Sequence, residues 1–277
     1  MWVLRGLRNG VLTTRWPARP DEYAAATRGP AMVLAGPEAS LAGPASGYIS
    51  GSEAAALCPV GAISADQAGR SRVDQGSCIQ CGRCVQSRPD VFGWSAGPGS
   101  AALSLPALVV PPDENPDSLT AVAAALRART RALRRSVHLR HVDAGSDGSE
   151  EWEIMALLNP VYDIHRLGMF FTASPRHADV LLVTGAGANG MAGSLRETYE
   201  GMPSPKVVIA VGTDAVSGGI VSPSYATSGG IGDIVPVDVW LPGSPPTPFS
   251  ILWALLLAVG RLPATPGSQS STKTGTR

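Results

Sequence analysis

Four cysteines carry the redox- and metal-competent chemistry of this chain. Three of them fall in Cys78-Ile79-Gln80-Cys81-Gly82-Arg83-Cys84, with two residues between each. The fourth, Cys58, stands upstream in Leu57-Cys58-Pro59-Val60-Gly61-Ala62-Ile63. Thiolates bind iron tightly; an overlapping C-x2-C-x2-C loop wraps three sulfurs around one face of a cubane, and a distant cysteine followed by proline closes the fourth corner. The pattern points to one 4Fe–4S cluster with Cys58, Cys78, Cys81 and Cys84 as its iron ligands. Two other readings stay open. Two disulfides need an oxidising compartment, which nothing in the sequence implies, and the close spacing makes a compact bridge set awkward. Structural zinc ordinarily uses two separated C-x2-C pairs rather than three overlapping cysteines.

Around these cysteines the sequence resembles a bacterial two-cluster ferredoxin domain from which one cluster has been lost. In that family each half reads C-x2-C-x2-C-x3-C-P, and the last cysteine of each half ligates the cluster of the other half. The resemblance implies that Cys58 is donated across to the cluster of Cys78, Cys81 and Cys84. The second cluster of the family would use positions 48, 51, 54 and 88. Those are Tyr48, Gly51, Ala54 and Arg88, which cannot replace four thiolates.

The totals bound what surrounds this loop. At 277 residues the chain is long enough for two modest domains with their own cores. Basic and acidic side chains number 22 each, so no global attraction to nucleic acid or an anionic membrane follows, and a nucleic-acid partner is not expected. With 32 Gly, 24 Pro and 5% aromatic residues, loop-rich connections between α/β elements are expected. No apolar run reaches membrane-spanning length; the longest, Ile251 to Val259, suits a buried or partner-facing helix. Arg5, Arg8 and Arg15 interrupt Met1 to Trp16, unlike the apolar core of a signal peptide, and a cytoplasmic location is expected.

Residues 1–47 read as an N-terminal extension. Trp2, Val3, Leu4, Leu7, Val11 and Leu12 recur near helical spacing with arginines between them, and a short helix packed on its own domain is the expectation, a partner- or membrane-surface-binding amphipathic segment the alternative. From Arg28 to Gly47 an irregular approach is expected, then a ferredoxin-like unit at 48–95. Residues 96–136 read as a Pro-rich linker and basic helix. Asp117 or Ser118 would cap that helix, with Leu119, Val122, Leu126 and Leu133 on one face and Arg127, Arg129, Arg131, Arg134 and Arg135 on a solvated or subunit-facing surface. Within 137–262, short apolar runs at Val137–Val142, Gly168–Thr172, Asp179–Thr184, Lys206–Gly212 and Ile234–Leu241 alternate with helical patterns at Glu150–Leu158, Met191–Glu200 and Pro248–Leu262. Alternation of this kind predicts a parallel sheet covered on both faces. The fold class is therefore an α+β ferredoxin-like domain plus an α/β flavodoxin-like parallel-sheet domain. A Ser/Thr/Gly-rich tail at 263–277 is expected to be disordered.

The second domain resembles the small, proximal-cluster subunit of energy-converting nickel–iron hydrogenases, which is similar to the 20-kDa-type subunit of respiratory complex I. Four blocks carry this: Leu158-Asn159-Pro160-Val161-Tyr162-Asp163; Ser174-Pro175-Arg176-His177-Ala178-Asp179 with the strand behind it; Pro205-Lys206-Val207-Val208-Ile209-Ala210-Val211-Gly212; and Val235 to Pro246, which ends in Leu241-Pro242-Gly243-Ser244-Pro245-Pro246. The family holds a proximal 4Fe–4S cluster with four cysteines. The matching positions here are Asp147, Glu150, Asp214 and Ser244, and oxygen donors of this kind suit a hard cation better than a soft iron–sulfur core. The proximal cluster is not expected to form.

Gly185-Ala186-Gly187-Ala188-Asn189-Gly190 spells G-x-G-x-x-G between a strand and a helix, the context of a dinucleotide fingerprint. The resemblance instead implies an ordinary strand-to-helix turn. His165 and His177 lack a neighbouring nucleophile and read as structural or interfacial. What the resemblances imply is an oxidoreductase subunit rather than a stand-alone enzyme. It would carry one 4Fe–4S cluster and dock a hydrogenase-like or complex I-like large subunit and other subunits of a membrane-associated complex. A ferredoxin-type donor would feed it, and partner subunits would hold it on the cytoplasmic face of the membrane.

Overall fold

The computed structural model describes residues 2–34, 51–111, 116–134 and 136–262. Tyr48, Arg135 and the tail at 263–277 lie outside the described residues. The chain begins with α1 (Trp2–Asn9) and α2 (Glu22–Ala25), the latter capped by the Asp21 carboxylate, which accepts from the Tyr23 and Ala24 amides.

β1 (Arg28–Val33) follows, then α3 (Gly51–Ala55), the hairpin β2 (Ile63–Ala65) and β3 (Ser71–Asp74), α4 (Arg83–Ser87) and β4 (Phe92–Ala96). β1 pairs antiparallel with β4, and β2 with β3. The irregular approach expected from Arg28 is thus corrected: it begins with a strand whose partner lies some 60 residues on. Gly29 and Pro30 read as breakers. Here Gly29 lets Ser95 approach, since a Cβ at Gly29 would sit 2.3 Å from the Ser95 hydroxyl, and the register shifts between Arg28 and Ala31 around a proline that has no N–H to donate. Ala31, Ala54, Ile63, Val73 and Phe92 close a small core with Cys78 and Cys84.

The expected linker is also corrected. Residues 101–110 are sewn to both neighbours. Ala102 exchanges two 2.8 Å backbone hydrogen bonds with Trp240, and β5 (Val109–Val110) adds to β3. Glycine and proline content signalled loop, but Ala101, Leu103 and Leu108 are buried, and burial of apolar side chains outweighs loop composition.

α5 (Pro116–Arg129) and a 3-10 turn at Arg131–Arg134 cover the second unit through Ala123, Leu126 and Leu133, while Val122 stays exposed. Arg129 is ion-paired to Asp238, so part of the basic surface folds back on the protein.

The second unit is built from β6 (Val137–Asp143), α6 (Ser149–Ala156), β7 (Met169–Phe171), β8 (Val180–Thr184), α7 (Ala192–Gly201), β9 (Val207–Val211), α8 (Thr213–Ser217), β10 (Val239–Leu241) and α9 (Pro248–Ala258). Its sheet has the order β10-β9-β8-β6-β7 and every pairing is parallel. Counted from its own first strand this is 2-1-3-4-5, the flavodoxin-like order. β8 and β9 are wholly buried, and α9, apolar all round, fills one face. The strand expected from Ile234 begins only at Val239. The Ile234 and Val235 amides are taken by the Ile231 carbonyl, and Pro236 has none.

The N-terminal helix does not pack on its own domain. Val3, Leu4 and Leu7 are all exposed. The segment behind it is instead fastened to the second unit: Trp16 is buried with its ring 5.7 Å from that of Phe249 and 6.3 Å from that of Trp253, and the Thr14 amide donates to the Val161 carbonyl.

Candidate iron–sulfur site and the carboxylate cluster beside it

The three-cysteine run forms a tight loop after β3. Asp74 accepts from the Gly76 amide at 2.9 Å and from the Ser77 hydroxyl at 2.7 Å, which turns the chain out of the strand. Gln80 and Gly82 both take positive φ, 55° and 77°. Only glycine adopts such a backbone without strain, and at position 82 a Cβ would also press on the Trp94 ring at 3.1 Å. α4 then begins, placing Cys84 in its first turn. Cys58 arrives from the turn after α3, and its sulfur accepts from the Ala62 amide at 3.2 Å.

All four cysteines line one pocket, together with Ala31, Val60, Ile63 and Val73. Cys78 and Cys84 are buried, Cys58 is half-buried and Cys81 is exposed. Burial pushes the Cys78 and Cys84 thiols up, and so do the charges of the other cysteines on the pocket. Thiolates gathered in such a place need a cationic core to hold them deprotonated. Residues and pocket therefore fit an iron–sulfur group. Among the described residues no group of three or more His, Cys, Asp or Glu is placed to hold a metal ion.

The positions that the ferredoxin resemblance assigns to a second cluster are otherwise occupied where they are described. Gly51 and Ala54 are buried; a Cβ at Gly51 would lie 2.4 Å from that of Ala65. Arg88 pairs with Asp90.

The loop is joined to the second unit. The Thr213 hydroxyl donates to the Cys78 carbonyl at 3.1 Å and accepts from the Gly243 amide at 3.3 Å; the Ser217 hydroxyl donates to the Gly76 carbonyl at 3.0 Å. α8, which supplies both hydroxyls, also carries Asp214. Glu150 lies directly against Gly212, where a Cβ would sit 2.5 Å from its carboxylate oxygen.

Asp147, Glu150 and Asp214 thus interact. Burial, then the charges of Asp214 and Asp147, push Glu150 up to about 7, and the Ser149 hydroxyl donates to its carboxylate at 3.1 Å. Burial, then Asp147 and Glu151, raise Asp214. Hydrogen bonds from Ser149 hold Asp147 low. Ser244 is exposed in the turn after Gly243, whose carbonyl accepts from the Thr213 amide at 2.7 Å.

Sequence reasoning missed the adjoining network. His141 lies 3.0 Å from the buried Thr184 hydroxyl, which donates to Glu151, and Ser146 donates to the same carboxylate at 2.9 Å. A lone threonine ending the apolar run Val180–Thr184 was the available signal. Burial lowers the His141 pKa despite Glu151 beside it.

The glycine-rich turn is used by the protein itself. The Ala186, Ala188 and Asn189 amides donate to the carbonyls of Gly145, Ala144 and Ala226, and a Cβ at Gly187 would meet the Gly230 oxygen at 2.3 Å. These amides are not free to cradle phosphate. His165 stacks on Phe170 at 5.3 Å, and His177 closes a 3-10 turn before β8.

The model of the 20-kDa subunit of NADH–ubiquinone oxidoreductase matches residues 148–258. Formate hydrogenlyase subunit 7 of Escherichia coli (strain K12) is 41% identical over 132 residues, 48% of this chain and 52% of that protein. A probable membrane-bound hydrogenase subunit of Pyrococcus furiosus is 42% identical over 130 residues, 47% of this chain and 78% of that protein. The chain belongs to the family of the 20-kDa NADH–ubiquinone oxidoreductase subunit. It spans about half the length of the formate hydrogenlyase subunit. One chain of the membrane-bound sulfane sulfur reductase, an archaeal respiratory membrane complex, aligns at 29% identity over 48% of this chain and 71% of that chain, with a TM-score of 0.40. The 20-kDa-family match runs from α6 to α9, taking in four of the five strands of the parallel sheet, and includes neither β6 nor the cysteine run. No helix among the described residues is long and apolar enough to cross a membrane.

Proposed function

We propose that this chain is an electron-transfer and scaffolding subunit of a membrane-associated, hydrogenase-related or complex I-like oxidoreductase. In this reading Cys58, Cys78, Cys81 and Cys84 hold one 4Fe–4S cluster in a ferredoxin-like unit, and the proximal position of the second unit holds none. The observation that carries it is the convergence of all four cysteines on one apolar-walled pocket. Its frame supports it: among the described residues strands and helices run β-α-β-β-α-β from β1 to β4, with the outer and inner strands paired.

A bound 4Fe–4S group supplies single-electron acceptance and donation. The chain's own residues do the rest. The Ala62 amide directs its proton at the Cys58 sulfur, and apolar side chains keep water from the inner wall. Thr213 and Ser217 set the loop against α8. Asp147, Glu150 and Asp214 occupy the place from which a thiolate-bound relay would continue, and carboxylates do not sustain one. The second unit then docks a large subunit without wiring it. A ferredoxin-type donor supplies electrons, nucleic acid is not a partner, and attachment to the cytoplasmic face runs at least in part through other subunits.

A structural or redox-sensing subunit is the second reading, and the hydrogen bonds from α8 to the cysteine loop favour it, because they make the loop part of the seam between units.

Iron and acid-labile sulfide per chain, with EPR of the reduced state, test the proposal on anaerobically purified protein. About four irons and one 4Fe–4S signal are expected. About eight irons would place a second cluster in the chain, and zinc or no metal would overturn the relay. A group that cycles reversibly but never exchanges electrons with the assembled complex would select the second reading.

A further inference from the structure

The first 20 residues contain Arg5, Arg8, Arg15 and Arg19 and no acidic side chain, in a chain whose basic and acidic residues balance at 22 each. Those four arginines make no ion pair among the described residues. Along α1 the apolar Val3, Leu4 and Leu7 share one side at helical spacing, with Arg5 and Arg8 flanking it. Leu4 is 71% and Leu7 75% exposed, and Val11 beyond the helix is 77% exposed. Gly10, at φ 66°, ends the helix in the left-handed conformation and turns the chain toward the body of the protein.

There the segment is held. Thr13 donates to the Pro160 carbonyl at 2.9 Å, the Thr14 amide to Val161, and Arg166 to the Trp16 carbonyl. Arg15, Arg19 and Arg166 border one open hollow with Val11 and Thr13. The exposed apolar side of α1 is thus followed, through Val11, by a hollow bordered by guanidinium groups, and the segment from Thr13 to Trp16 is held on the second unit.

We infer that residues 3–19 form a binding surface for an anionic phospholipid bilayer: α1 lies in the interface with Val3, Leu4 and Leu7 toward the acyl chains, and Arg15 and Arg19 meet headgroup phosphates, while Arg166, engaged with the Trp16 and Tyr162 carbonyls, holds the segment in place. Apolar area and cationic charge act together in such segments, neither being sufficient for stable attachment. A second copy of the chain is a poor occupant, because it would bring its own Arg5, Arg8, Arg15 and Arg19 to the contact.

The test is flotation of the full-length, metal-loaded protein with vesicles of equimolar phosphatidylglycerol and phosphatidylcholine, against phosphatidylcholine alone. Binding to the anionic vesicles is expected to be at least about tenfold stronger, and to weaken with salt. Leu4→Glu with Leu7→Glu should reduce it by about tenfold or more at unchanged iron content and circular dichroism, since both side chains are exposed. Arg15→Gln with Arg19→Gln should weaken it and flatten the salt dependence. Equal binding to both vesicles, no flotation, or flotation indifferent to the leucine changes would overturn the assignment. So would self-association without lipid that the leucine changes abolish, which would give the helix to a second copy.

Discussion

The Thr213 hydroxyl reaches across the seam between the two units to the Cys78 carbonyl at 3.1 Å while receiving the Gly243 amide at 3.3 Å. One buried side chain therefore ties the cysteine loop, α8 and the Pro242–Pro246 turn together. The cysteine loop and the Asp214-bearing helix α8 share this residue as a neighbour.

Thr213→Val keeps the shape and removes the hydroxyl, leaving a carbonyl and an amide without that partner. A loss of about 2 kcal/mol in unfolding free energy is expected, measured by denaturant titration. Ser217→Ala, which loses bonds to the Gly76 and Thr213 carbonyls, should cost about 1 kcal/mol. Equal and negligible effects would mean that the seam does not contribute to folding.

Cys81→Ser separates ligation from packing, because Cys81 is exposed. Iron, sulfide and the visible charge-transfer absorbance should all be lost, with little effect on the second unit. Retention of iron and absorbance would remove Cys81 from the ligand set.

Glu150 gives the chain a pH dependence whose sign can be stated. Its folded value of about 7 lies above its ordinary 4.5, so the native state holds the proton more tightly than the unfolded state. Stability is fully present below about pH 4.5 and falls as pH rises through 7, by of the order of 3 kcal/mol in total. Glu150→Gln should flatten that slope and exceed the parent in stability above pH 8. Urea midpoints from pH 4 to 9 measure it; parallel profiles would show that burial does not hold the proton on Glu150.

Trp16→Ala opens a cavity against Phe249 and Trp253. A loss of about 3–5 kcal/mol is expected by thermal or denaturant unfolding. An exposed tether would lose almost nothing.

The parallel sheet was legible because its strands are short apolar runs, and runs such as Val180–Thr184 and Val207–Val211 leave few other ways to be buried. The cysteine run was legible for a related reason: three thiols at fixed short spacing restrict the chemistry before any fold is known. β1 was not, because a strand is stabilised by its partner, and Phe92–Ala96 is far away in sequence. The segment read as a linker failed likewise; nothing local to Ala102 announces Trp240.

By itself, then, the sequence determined the thiol inventory, the absence of any cysteine from 137–262 and the alternation that makes a parallel sheet. Only the tertiary structure decided that Cys58 shares a pocket with the other three, that Glu150 is buried beside Asp147 and Asp214, and that the N-terminal segment is fastened to the second unit while its helix remains bare. Residue types and local periodicity are properties of short windows. Burial, pKa and pairing depend on which distant segments meet, and the chain's apolar surface settles that only once it is buried as a whole.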